Sequence, residues 1–181
     1  MWRVAFLASA AAVAALAVVA TGALAANPTV IHFSDSGSFT DPNFCGTGES
    51  VNVAFDFRGT DWLTPNHVSF QGTVNGPDTF TNPANGSTVV AHITGLATQQ
   101  LVSSSPSGDT VLDSHKGLPE QLKTTNGTVL TRDAGYIQFL DTFDSDGNQI
   151  SSQIVIDRGP HPDAESGGAV FCDVATSALG L

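Results

Sequence analysis

The chain has 181 residues, 17 acidic side chains against six basic ones, and a formal net charge of −11. That length suits one domain with a single core. The charge makes nucleic acid and anionic membrane surfaces poor partners, since both need cations to displace their counterions.

Residues 1–25 read as a secretory signal. Arg3 supplies a charged start, Val4 to Ala20 is almost wholly apolar, and "TGALAA" places Ala23 and Ala25 at the small-residue exit. The apolar run, about 17 residues, is short for a bilayer span, and no second such run follows. The expected product is a secreted, extracellular chain with no stable membrane span once the signal is removed. Residues 26–181 then form one β-domain, in which five positive side chains face 17 negative ones.

Cys45 and Cys172 both lie in the exported part. In an oxidising compartment such a pair is expected to close a disulfide, here tying the first core strand to the last. Chain entropy sets a ceiling of about 4–5 kcal/mol for so long a loop. No base stands beside either cysteine to support a reactive thiol.

Beyond the signal, alternation with a period of two dominates. In "SVNVAFDFRG", Val51, Val53, Phe55 and Phe57 share one face, and Asn52, Ala54, Asp56 and Arg58 the other. "HVSFQGTV", "STVVAHITGL", "YIQFLDTF", "QISSQIVID" and a final "GAVFCDV" follow the same pattern. "TVIHFS", "DTFTN", "DTVLDSH" and "GTVLT" are weaker. Turn chemistry separates them, including "NGPD", "NPANGS", "SSSPSGD", "NGT" and "SDGN". The expectation is an all-β fold, a single antiparallel β-barrel or β-sandwich of about eight to ten short strands.

"DTFDSDGNQI" resembles a calcium loop at first sight. With Gly147 sixth, Asp144 and Asp146 fall third and fifth, but Thr142 and Gln153 occupy the first and twelfth positions, where acids belong. A hairpin turn at Asp146-Gly147 is expected instead. Asp144, Asp146, His161 and Asp163 stand as secondary candidates for a weakly held ion, with no metal or cofactor expected. "ESGG", Glu165 to Gly168, resembles the nucleophile segment of chymotrypsin-like proteases. His67 and His92 lack the "AHC" setting that family requires, so a Gly-Gly loop before a strand is expected. His32, His67, His92, His115 and His161 are scattered rather than spaced as zinc ligands. "NGS" at Asn85 and "NGT" at Asn126 match the glycosylation sequon and also read as turns.

With the signal, the cysteine pair and "DPNFCGTGESVNVAFDFRG", the chain resembles a group of small secreted actinobacterial proteins. In these a Cys-x-Gly-Glu-like segment introduces the first strand of a β-domain. Here "NFCGTGE" carries extra residues between cysteine and glutamate. The resemblance implies no established activity, and no functional residue is carried over.

The leading expectation for function is a non-enzymatic extracellular β-domain that binds a partner or occupies the cell surface. A second is a barrel enclosing a small apolar ligand, lipocalin-like or allene-oxide-cyclase-like, with Val51, Val53, Phe55 and Phe57 as candidate lining. A third is a secreted hydrolase or metalloprotein using the scattered His and Asp residues.

Overall fold

The computed structural model describes residues 29–64 and 69–181. The expected signal at 1–25, and His67 and Val68 of the expected "HVSFQGTV" strand, lie outside the described residues. Among the described residues seven strands run β1 (Thr29–Asp41), β2 (Val51–Leu63), β3 (Ser69–Thr81), β4 (Thr88–Ser105), β5 (Gly108–Thr124), β6 (Val129–Asp144) and β7 (Gln149–Arg158). Each pairs antiparallel with its neighbour in chain order. The all-β expectation holds: the fold is an antiparallel barrel with outer strands.

The strands are fewer and longer than the alternation suggested, 10 to 18 residues each. Expected turns proved to be strand interior. "NGPD" runs straight through β3 and joins two expected strands into one. Its cost shows in the ladder: Phe55 pairs with Asp78 and Arg58 with Asn75, while the two positions between them are unpaired. Pro77 has no N–H to give. Gly76 passes so close to β2 that a Cβ there would lie 2.1 Å from the Asp56 carbonyl oxygen.

The last expected strand is a helix. "GAVFCDV" begins α2 (Ala169–Leu179), after a single-turn helix α1 (Pro162–Ser166). Phe171, Val174, Ala175, Ala178 and Leu179 recur at three- and four-residue spacing, which gives a helix one apolar stripe. That stripe covers one end of the sheet, where Val51, Val53, Phe80, Val89, Ala91 and Leu122 form the core with Phe44. Burying side chains of this size contributes about 1.5–3 kcal/mol each. Phe44, Phe80 and Phe171 complete the contact, with ring centroids 5.4, 5.6 and 6.3 Å apart.

The Cys45–Cys172 disulfide is present, with Cα atoms 5.5 Å apart. It joins the 3-10 turn Phe44–Gly46 to α2 rather than one strand to another. At the other end of α2 the Asn82 and Asn85 side-chain amides donate to the Leu179 carbonyl, at 3.0 and 2.9 Å. Gly180 then ends the helix in the left-handed conformation, φ 69°. The helix is thus pinned at both ends.

Candidate functional site

Residues paired directly across an antiparallel ladder share a face. Val51, Val53 and Phe57 define the core face, and register carries it across the sheet through Phe80, Val89 and Leu122. On that same face lie Asp61, Asp78, Asp113, Glu120, Asp133 and Asp141. The described residues hold five of the chain's Lys and Arg: Arg58, Lys116, Lys123, Arg132 and Arg158. Register assigns every one of them to the opposite, solvent face. The described strand cations thus share the solvent face, and most of the strand acids lie on the other.

At the helix-covered end, four carboxyl groups from four elements meet. Glu120 on β5 pairs with Asp133 on β6, and the bulge at Gly117/Glu120 sets that register. Asp133 accepts the backbone N–H groups of Asp163 and Ala164, each at 3.0 Å, at the start of α1. Asp163 accepts the N–H of Phe171 at 2.7 Å, in the first turn of α2. Both helix starts thus receive a carboxylate, where unpaired amides and the helix dipole favour one.

Glu120 hydrogen-bonds the Asp163 side chain. Burial first, then the charges of Asp163, Asp133 and Asp78, push the Glu120 carboxyl up to about 8. Near neutrality it keeps its proton and donates to Asp163. Burial raises Asp78 to about 6 and also lifts Asp163. Because the oxygens of Asp133 and Asp163 are engaged by helix amides, the group works as a clasp for α1 and α2. It does not form an exposed acid–base pair.

His161, fully buried just ahead of α1, brings Nδ1 within 2.6 Å of Asp157 Oδ1, while its Nε2 has no partner. Asp157 also bonds Glu165, whose carboxyl that contact raises. Further along the core face, Asp113 Oδ2 lies 3.2 Å from His115 Nε2, and Asp113 Oδ1 and Asp141 Oδ1 are buried without partners. Among the described residues no three His, Cys, Asp or Glu side chains converge as metal ligands.

The solvent face carries a groove of about 290 Å³ across β3 to β6. Gln71, Thr98, Gln100, Ser114 and Gln138 line it with amides and hydroxyls, beside Leu112 and Tyr136. Gln71, Thr98, Ser114 and Gln138 occupy one cross-strand row. The Gln138 amide donates to Ser114 Oγ at 2.8 Å and to the Tyr136 hydroxyl at 3.1 Å. In the adjoining row Lys116, Tyr136 and Arg158 are paired in succession. Lys116 Nζ sits 5.2 Å from the centre of the Tyr136 ring.

The sequence candidates are dispersed. Asp144 closes the β6–β7 turn: its carboxylate accepts from the N–H of Asp146 and Asn148 and from the Asn148 side chain, at 2.8 to 3.2 Å. These bonds, the Asn148 side chain foremost, hold the Asp144 carboxyl below its usual range. Gly147 takes φ 82° there, so the stretch is the expected turn. His161 and Asp163 belong to separate networks, on Asp157 and on the helix starts. Ser166 donates to the Asp163 carbonyl and accepts from the Val170 N–H, linking α1 to α2. Val51, Val53 and Phe57 are buried, the first two inside the core cluster, and Phe55 is half-buried, stacked 6.1 Å from Phe57.

The carboxyl clasp and the groove escaped the sequence reading, since their residues span 85 positions (Asp78 to Asp163) and 67 positions (Gln71 to Gln138). Strand parity was the available signal: Asp78 has the parity of the buried Phe80, and Lys116 the opposite parity to His115. No protein-family model, no curated protein and no solved structure matches the chain.

Proposed function

We propose that the chain is a secreted, non-enzymatic binding domain that engages an extracellular polymer through the solvent face of β3 to β6. The observation that carries this reading is the groove itself. Gln71, Thr98, Gln100 and Gln138 converge there as hydrogen-bonding groups on regular strands, with Tyr136 beside them and the buried Ser114 hydroxyl bracing Gln138. Groups on strands are held more rigidly than groups on loops, which suits recognition of a repeating, hydroxyl-rich ligand. The disulfide and the absence, among the described residues, of a helix long and apolar enough to cross a membrane accord with an exported molecule.

An apolar ligand inside the barrel is less favoured. Val51, Val53, Phe80 and Leu122 are already packed against α2 and Phe44. Hydrolysis is less favoured too, since the buried carboxyls serve helix starts.

The test is binding of the disulfide-bonded protein to an array of neutral and acidic polysaccharides, with Gln138→Ala and Thr98→Val as groove variants. Binding that the variants weaken supports the reading. Turnover of any polymer, or binding indifferent to both variants, overturns it.

A further inference from the structure

We propose that this solvent face holds an anionic polysaccharide, with Lys116 and Arg158, on either side of Tyr136, meeting its acid groups. The inference rests on reading the groove as the binding face and names the chemistry of the ligand.

Net charge argues against any polyanion, but the face-by-face distribution does not. All five described cations lie on the solvent side of the strands. By register, the described strand carboxylates on that side are Asp56 and Asp144. Asp144 lies in the β6–β7 turn, eight residues along β6 from Tyr136. The core-face acids point to the other side of the sheet, away from a ligand on this face. A ligand on the solvent face therefore meets a locally positive surface.

The spacing supports a sugar chain bearing acids. Lys116, Tyr136 and Arg158 sit in register on β5, β6 and β7, so the two cations are two strand spacings apart, about 10 Å. Lys116 and Arg158 are exposed. Gln138 fixes the Tyr136 hydroxyl and supports the ring. Gln71, Thr98 and Gln138, in the row alongside, offer donors and acceptors to hydroxyl groups, with Gln138 seated on the buried Ser114 hydroxyl. Carboxylates or sulfates would take charge-assisted bonds from Lys116 and Arg158.

Single-stranded nucleic acid fits the same face less well, because it needs successive aromatic platforms. Trp62 on β2 and Tyr136 on β6 stand four strands apart.

The test measures binding of the full, disulfide-bonded chain to polygalacturonate, to neutral dextran of matched length and to poly(dT), by calorimetry at physiological salt. The comparison protein is the double variant Lys116→Gln/Arg158→Gln. The expected result is binding of polygalacturonate above the other two, weakened about tenfold or more in the variant, as loss of charge-assisted bonds implies. An unchanged far-ultraviolet spectrum shows that the variant is folded. Dextran bound as tightly as polygalacturonate, or a variant of unchanged affinity, overturns the charge assignment and leaves the binding domain standing. Preference for poly(dT) overturns it in favour of nucleic acid. Binding of no polymer overturns both readings together.

Discussion

Asp133, deep on the core face of β6, receives the backbone amide of Asp163 at 3.0 Å across 30 positions of sequence. A second bond to Ala164 makes this one carboxylate the seat of α1. The helical end of the molecule is held by polar contacts that no stretch of sequence announces. Its stability can be tested one contact at a time.

Asp133→Ala leaves two amides at the start of α1 without an acceptor. Bonds to a charged group contribute roughly 1.5–3 kcal/mol each, so losing two is expected to cost about 3 kcal/mol or more in urea unfolding. Asp133→Asn, which keeps one acceptor oxygen, should lose less. Equal losses would show that shape rather than the paired bonds matters there.

Glu120 sets an unusual pH dependence. Its folded carboxyl titrates at about 8 and its unfolded one at about 4.3. Between those values the folded state binds more protons than the unfolded state, so stability falls as pH rises from about 4.3 through 8. Asp78, raised to about 6, adds to the lower part of that fall. Glu120→Gln keeps a neutral donor and should flatten the curve between pH 6 and 8. Chemical unfolding across pH 5–9 checks it, and an identical slope in the variant would remove Glu120 as the cause.

Asn82 and Asn85 converge on one carbonyl, that of Leu179. Asn82→Ala/Asn85→Ala should cost about 1 kcal/mol per bond and speed amide exchange in the last turn of α2. Exchange unchanged in that turn would mean that Gly180 alone ends the helix. Because Asn85 belongs to the "NGS" sequon, a glycan attached there would also alter one of the two donors.

Cys45→Ser/Cys172→Ser removes a link between residues 127 positions apart. The expected loss approaches 4–5 kcal/mol as a ceiling, read from the shift in urea midpoint against the oxidised protein. Reduction of the native protein should give a similar shift, since both sulfurs join elements already in contact through the core.

The strand pattern was legible because alternation is local. Val51, Val53 and Phe57 declare their face within seven residues, and their burial follows. The helix α2 was misread because Val170, Cys172 and Val174 alternate as a strand would. The competing signal, Phe171, Val174, Ala175 and Ala178 at helical spacing behind two glycines, was present and stronger. "NGPD" was misread because Gly and Pro usually mark turns, whereas here Gly76 allows close approach and Pro77 falls in a gap of the ladder. The clasp of Asp78, Glu120, Asp133 and Asp163 depends on register between distant strands, and the bulge at Glu120 changes that register. No local pattern contains it.

The covalent link from Cys45 to Cys172 also decides how the molecule answers a pull along its chain. Once β1 has come away from β2, tension applied at the two ends crosses from the Phe44–Gly46 turn to α2 through the sulfur bridge and is not carried along the backbone of β2 to β7. Under load, β1 can peel away and the last turns of α2 can unwind. Everything between the cysteines stays folded, at a fixed extension, until the bridge is reduced. Reduction of the bridge is therefore the release for mechanical failure.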